Sequence, residues 1–225
     1  MQRKIVKTAD GSTTIQLPEW NEQYHSMHGA IQEARHVFLK MGLDFVCTKN
    51  PRAQPLHVLE IGFGTGLNAF LTLLSAEAKG IKITYEGVEA YPVLPAEINS
   101  LNYIELLEAQ QHKATFDKMH ATPWEETLAI TEGFQLKKRQ QKFQDIDDGP
   151  RHDLIYFDAF GARVQPELWE EYIFDKMHNA LLPGGALVTY AAKGSVRRAM
   201  QAVGLEVERL PGPPGKREML RAVKK

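Results

Sequence analysis

The chain has 225 residues, 43% of them hydrophobic, enough to bury one good core, and no apolar run approaches the ~18 residues that a membrane span requires. A single cysteine, Cys47, excludes an internal disulfide or a cysteine metal cluster, and Met1 to Lys7 carries charges with no apolar stretch behind them, so a cytoplasmic protein without a membrane partner is expected. The formal net charge of −1, from 27 Lys/Arg against 28 Asp/Glu, excludes a uniformly basic nucleic-acid coat, yet nine basic residues stand against three acids from Lys193 to the end, an excess that suits phosphates or a solvated helix face equally.

Residues 3–17 alternate as two strands around Asp10-Gly11 and read as a hairpin, closed by Pro18. Trp20 to Ala30 crowds hydrogen-bonding side chains into an irregular loop of the kind that carries sites on rigid scaffolds. Ile31, Ala34, Val37, Phe38 and Met41 then recur at helical spacing over Ala30–Phe45, and residues 49–55 form a polar, proline-bearing connector. It delivers the chain to His57-Val58-Leu59-Glu60-Ile61-Gly62-Phe63-Gly64-Thr65-Gly66-Leu67-Asn68, a buried strand running through three alternate glycines into a helix. The glycines let backbone approach a ligand and permit positive φ where the strand turns. A dinucleotide fingerprint needs a further glycine, and the residue after Gly66 is Leu67, so a nicotinamide-linked oxidoreductase is the weakest reading. The run Glu60-x-Gly62-x-Gly64-x-Gly66 instead resembles the first motif of class I S-adenosylmethionine-dependent methyltransferases.

Lys82 to Glu89 is a second strand, and Glu89 at its end occupies the register where Rossmann-like folds place a carboxylate for ribose hydroxyls. Residues 93–132 look helical, with His112 and His120 as satisfied surface histidines and no metal-ligand spacing. Gly133–Phe143 reads as a third, edge-like strand. In the acidic loop 144–150, Asp145 is a candidate for the adenine amino group or a simple turn acid. Asp153–Phe157 is an apolar strand ending at Asp158, which should emerge beside the glycine loop. A long helix over Pro166–Leu182, with Trp169, Tyr172, Ile173, Met177 and Leu181 on one face, ends at Pro183-Gly184-Gly185. Ala186–Tyr190 is a fifth strand, Ser195 caps a helix through Val203, and Leu205–Leu210 and Lys216–Val223 form a final pair. The expected fold is α/β and Rossmann-like: a mostly parallel sheet with a C-terminal antiparallel strand pair and an N-terminal hairpin appendage. One domain over 1–225 is expected, with 1–50 appended to a core at 55–225.

A more specific resemblance rests on Tyr24-His25-Ser26 through Gly29, Glu33, Val37-Phe38-Leu39, the glycine loop to Asn68, Glu89-x-x-Pro92, Phe157-Asp158-x-Phe160, Pro183-Gly184-Gly185, Val196-Arg197-Arg198 and Gly215-Lys216-Arg217-Glu218-Met219-Leu220. Together these resemble the methyltransferase domain of the tRNA 5-methylaminomethyl-2-thiouridine biosynthesis enzymes. The resemblance implies S-adenosylmethionine-dependent N-methylation of the 5-aminomethyl(-2-thio)uridine wobble base, in the anticodon region of tRNA. Because no residues are left for the flavin oxidase domain of many members, it implies the stand-alone type, with no flavin, no metal and no obligate protein partner.

For the cofactor, position assigns Gly62, Gly64 and Gly66 to backbone approach, Glu60 to the methionine end or to ordering the loop, Glu89 to ribose and Asp145 to adenine. Tyr24, Ser26, Glu33 and Asn68 join the cofactor set, and Phe160 the substrate set. Arg197, Arg198, Lys216 and Arg217 are assigned to the tRNA backbone, while Lys193 has no clear role. Asp158 is cast as the catalytic group: it accepts amine N–H bonds, aims the lone pair and receives a proton late. A class I methyltransferase with a protein or small-amine acceptor, and a non-catalytic S-adenosylmethionine- or tRNA-binding module, are the rival readings.

Overall fold

The computed structural model describes residues 2–50 and 54–225, so residues 51–53 of the expected connector lie outside the described residues. β1 (Lys4–Lys7) and β2 (Thr13–Leu17) form the expected hairpin, and β3 (Glu22–Gln23) extends it to a three-stranded antiparallel sheet. Asp10 in its turn also reaches forward: Oδ1 accepts from Thr8 Oγ1 at 2.7 Å, and Oδ2 accepts from the Gln32 backbone N–H at 3.1 Å. An acid is thus placed on the free amides of the following helix start, where the dipole favours it.

That helix runs longer than its spacing suggests and is irregular. α1 (Ala30–Ala34) passes through a π-helical stretch, Arg35–Leu43, into α2 (Asp44–Lys49). The wider turn rotates Met41 to a half-buried position and brings Gly42 onto the sheet, where a Cβ would lie 2.9 Å from Val188 Cγ2. Then follow β4 (Leu56–Ile61), α3 (Leu67–Lys79), β5 (Ile83–Val88), α4 (Pro95–Ile98), α5 (Tyr103–Leu106), α6 (Lys113–Ala121), β6 (Thr127–Thr131), β7 (Phe134–Arg139) and β8 (His152–Phe157). The chain ends with α7 (Glu171–Ala180), β9 (Leu181–Thr189), α8 (Gly194–Ala202), β10 (Leu205–Pro211) and β11 (Glu218–Lys224).

Eight strands make the main sheet in the order β10-β11-β9-β8-β4-β5-β7-β6, parallel from β9 to β7 and antiparallel at both ends. The expected α/β class and C-terminal antiparallel pair are both present. From β4 the chain builds outward through β5 and β7, then returns to place β8 on β4's other side, so the crevice of this doubly wound sheet opens beyond the carboxyl ends of β4 and β8. Alternate residues of β4 serve opposite layers: Val58 packs with Phe38, Phe70 and Tyr156, whereas Leu59 and Ile61 pack with Phe157, Phe174 and Met177.

Four expectations are corrected. Residues 127–131 are strand, not helix, because β6 covers the outer edge of β7 and so makes β7 an interior strand rather than an edge. Its basic side chains are buried yet satisfied: Lys138 Nζ donates to His120 O at 2.7 Å and stands 5.0 Å from the Trp124 ring centroid, and burial pushes its ammonium down to about 8. Arg139 reaches Glu86 at 3.1 Å and Asp148 at 2.5 Å. The long helix breaks at Glu170 between a 3₁₀ turn, Pro166–Trp169, and α7, which leaves Tyr172 60% exposed and buries Phe174 in its stead. Lys193, not Ser195, precedes the first turn of α8, and no side chain caps it.

Candidate active site

A cavity of about 1210 Å³ opens at the carboxyl ends of β4, β5 and β8, walled on its outer side by the 20–28 loop. The glycine loop forms its floor. Gly62 turns at φ +94, and any Cβ there would stand 2.6 Å from the Asp158 backbone oxygen, so the loop and the end of β8 can approach only through glycine. The Gly62 and Phe63 amides both donate to Val88 O at 3.0 Å. Tyr24 packs directly over Gly64. Glu89 is 9% exposed, and its oxygens accept from the backbone N–H of Gly64 at 3.0 Å and of Tyr91 at 2.9 Å. Burial raises this carboxyl, but each oxygen keeps a lone pair suited to a hydroxyl.

Behind the floor runs a chain of buried polar groups. Tyr85 Oη donates to Glu60 Oε2 at 2.8 Å, and the Asn68 amide donates to Glu60 Oε1 and to Asp158 Oδ2, both at 2.9 Å. Burial drives Glu60 well above the carboxylate range, and Glu60 does not line the cavity. Both of its oxygens are taken within the fold, one by Asn68 and one by Tyr85. Asn68 does line the cavity, and its Oδ1 is buried without a partner among the described residues. Asp158 is fixed by its own N–H to Ile61 O at 2.9 Å. Its carboxyl is pushed up to about 7 by burial first and by the Glu33 charge second, against the Asn68 hydrogen bond and the Lys216 ammonium, which pull it down.

The outer wall joins both ends of the sequence. Glu33 Oε2 accepts from the Ser26 N–H at 3.0 Å, and Glu33 Oε1 accepts from Lys216 Nζ at 2.6 Å. Lys216 also lies 3.9 Å from the centroid of Tyr190, whose hydroxyl donates to Ala159 O at 2.8 Å. Lys216 therefore belongs to the cavity wall, not to an outer phosphate-binding face. Arg217, 92% exposed at its side chain, and exposed Arg198 remain on the surface, and Arg197 is half-buried. Phe160 meets Trp20 and Tyr24 edge-to-face, with centroids 5.8 and 5.1 Å apart.

Gly62, Gly64, Tyr24, Ser26, Glu33, Asn68, Glu89, Asp158, Phe160 and Lys216 are thus brought to one cavity. Asp145 is not: the turn Phe143–Asp145 directs Phe143 and Gln144 to the cavity and leaves Asp145 exposed. Nor does Gly66 line it; a Cβ there would touch His120, which is half-buried against Phe63 and Phe116, and desolvation lowers its imidazole to about 4. His25, assigned no role from the sequence, bridges Thr14 and Thr65 at 3.0 and 3.3 Å beneath the loop. Its place between Tyr24 and Ser26 was the available signal. Away from the cavity Glu86, Asp148 and His152 converge, but Arg139 and Arg151 hold the two carboxylates, which makes the cluster an ion-pair network.

A model of the family described as S-adenosyl-L-methionine-dependent methyltransferase matches residues 110–225. The chain is 27% identical over 238 residues to the tRNA 5-methylaminomethyl-2-thiouridine biosynthesis bifunctional protein MnmC of Acidovorax sp. (strain JS42), covering 99% of this chain and 35% of that protein. It is 28% identical over 216 residues to the protein of the same name from Chromobacterium violaceum, covering 89% and 32%. The chain thus spans about a third of the length of these curated relatives. Among solved structures, MnmC2 from Aquifex aeolicus superposes with a TM-score of 0.77 at 24% identity, covering all 100% of this chain and 70% of that one. Spermidine synthase from Thermotoga maritima gives 0.59 at 13% identity, covering 98% and 68%. Both likenesses are of fold.

Proposed function

Since the chain belongs to the S-adenosyl-L-methionine-dependent methyltransferase family, we propose that it methylates the primary amine of 5-aminomethyl(-2-thio)uridine at the tRNA wobble position, giving the methylaminomethyl base. The observation that carries this reading is Asp158: a strand-end carboxylate beside the glycine loop, in a cavity larger than the ~300–1,000 Å³ usual for one small ligand. Such a site has room for a donor and a flat acceptor together. The nucleoside acceptor is supported by relatives named for tRNA 5-methylaminomethyl-2-thiouridine biosynthesis along 99% and 89% of the chain. Only the methyl-transfer part of those longer proteins is carried over, so the proposal uses neither flavin nor metal, and it places the enzyme in the cytoplasm without an obligate protein partner.

The residues present suit the cofactor. Gly62 and Gly64 offer bare backbone, Glu89 offers lone pairs to a ribose diol, and the unpartnered Asn68 Oδ1 is an acceptor for an ammonium. Tyr24 and Ser26 cover the loop, and Phe143 and Gln144 replace Asp145 as the candidates for adenine. When bound, S-adenosylmethionine supplies an electrophilic methyl on a sulfonium. The chain must supply a neutral, aimed amine. Were that amine lysine-like, freeing its lone pair at neutral pH would cost roughly 4–5 kcal/mol, and less beside an electron-poor ring. A carboxyl near 7 takes up the departing proton more readily than an ordinary aspartate, while its fixed position aims the nitrogen. Arg197, Arg198 and Arg217 are proposed for tRNA phosphates.

Incubation with labelled S-adenosylmethionine and tRNA bearing aminomethyl-thiouridine, followed by digestion to nucleosides, tests the reading. Label in the wobble nucleoside is the expected result; label elsewhere, or none, removes it.

A further inference from the structure

The two walls that flank Phe160 are held very differently. On one side its backbone is pinned from behind: the Trp169 indole N–H donates to Phe160 O at 2.8 Å, and Tyr190 holds Ala159 O at the same distance. On the other side stands the 18–24 segment, whose Trp20 and Tyr24 touch Phe160 only through aromatic edges. Across this contact one side chain makes the tie. Arg163 Nη2 donates to Trp20 O at 3.1 Å, to Asn21 O at 2.9 Å and to the Glu22 carboxylate at 2.9 Å. Those carbonyls end the short 3₁₀ turn Pro18–Trp20, with Asn21 in the left-handed region at φ 48, and so would otherwise lack partners. Arg163 is 57% exposed and takes no part in binding the glycine loop or Glu89.

We infer that Arg163 is a positioning residue for the acceptor: by clipping residues 20–22 it holds Trp20 against Phe160 as one aromatic wall, on which a planar ring rests with its aminomethyl arm toward Asp158. The inference rests on the reading of a planar-ring amine as acceptor and deepens it. Aromatic walls favour a flat ring over an aliphatic amine, since stacking needs a π-face. Phe160 lies two residues beyond Asp158, so a ring against it stands next to the acid. The cofactor half of the cavity is held apart from the clip: Gly62 and Glu89 stand at the ends of β4 and β5, and Tyr24, which packs over Gly64, is anchored by its own N–H to Ile15 O at 2.9 Å.

The test compares wild type with Arg163→Ala, Arg163→Lys and Glu22→Gln, after melting curves establish that each is folded. With the modified tRNA as acceptor, Arg163→Ala is expected to raise KM about five- to twenty-fold, the range of one or two charge-assisted hydrogen bonds at a half-exposed site, with kcat and cofactor affinity within twofold. Lysine should recover part of the loss through a single carbonyl, and Glu22→Gln, which keeps both carbonyl contacts, should shift KM by under about threefold. Calorimetric titration of 5-aminomethyluridine and of propylamine, each with S-adenosylhomocysteine present, reads the aromatic wall without turnover. The nucleoside should bind wild type and lose at least fivefold in Arg163→Ala, and the aliphatic amine should bind neither. An unchanged KM, a parallel loss of cofactor affinity, or equal binding of both amines overturns the inference. If wild type fails to methylate the tRNA yet binds the nucleoside in a way that depends on Arg163, the proposed function falls and the aromatic wall stands.

Discussion

Asp158→Asn is expected to stop turnover and, at alkaline pH, to make the free protein more stable. Burial and the nearby Glu33 charge move the carboxyl from 3.8 to about 7 in the folded state. At 1.36 kcal/mol per pH unit that corresponds to about 4 kcal/mol held against the ionised form. The sign follows from proton binding. Between pH 4 and 7 the folded protein holds a proton that the unfolded chain has lost, so the stabilising contribution is complete below pH 3.8 and is lost as pH rises through 7. Asparagine is neutral throughout and keeps an oxygen for the Asn68 amide, now 2.9 Å from Oδ2. Allowing half of the figure for relaxation and water entry leaves a gain of about 2 kcal/mol at pH 8, or ~4–8 °C in a domain of this size. At pH 5 the gain should shrink to under about half of that. Melting curves at the two pH values, calorimetry of S-adenosylmethionine binding and single-turnover assays check it. Cofactor affinity should hold while the rate falls ~10²–10⁴-fold. A variant that melts no higher than wild type at pH 8, or a gain independent of pH, would refute the burial argument; unchanged turnover would refute the catalytic assignment.

Other perturbations separate the remaining roles. Glu89→Gln should weaken S-adenosylmethionine binding ~10–100-fold by calorimetry, with kcat at saturating cofactor within twofold, because it presents an N–H where two backbone amides and a diol require acceptors. Asn68→Ala removes the donor shared by Glu60 and Asp158; denaturant melts should show a loss of about 1–3 kcal/mol, and the pH midpoint of kcat/KM should move above that of wild type. Gly62→Ala would set a Cβ 2.6 Å from the Asp158 carbonyl at φ +94, so a loss above about 2 kcal/mol and no measurable cofactor binding are expected. Arg217→Ala should lower the salt slope of tRNA binding by roughly 0.7–0.9, whereas Lys216→Met, which removes a cavity ammonium, should leave the slope alone and raise the pH midpoint of turnover.

The glycine-loop end of the cavity was legible in the sequence because its signals are local. An apolar strand, three alternate glycines and acids at two strand ends are set by spacing alone, and the parallel register then brings Gly62, Glu89 and Asp158 to one edge. The alternation of strand and helix likewise determined the sheet class and the closing antiparallel pair. What the sequence could not determine is which distant residues meet. Glu33 and Lys216 are 183 positions apart, Arg163 and Trp20 are 143 apart, and neither pair has a pattern that precedes folding. Basic composition suggested that Lys216 faces phosphate and Lys138 an edge, but tertiary packing buried one against Trp124 and set the other over Tyr190. β6 was missed because three of its five residues are exposed, so it shows no period of burial and exists only because β7 offers it an edge. Local propensity writes the turns and the strand ends, whereas the charge state of Asp158 depends on what the whole fold excludes from water around it, and only the tertiary structure decides that.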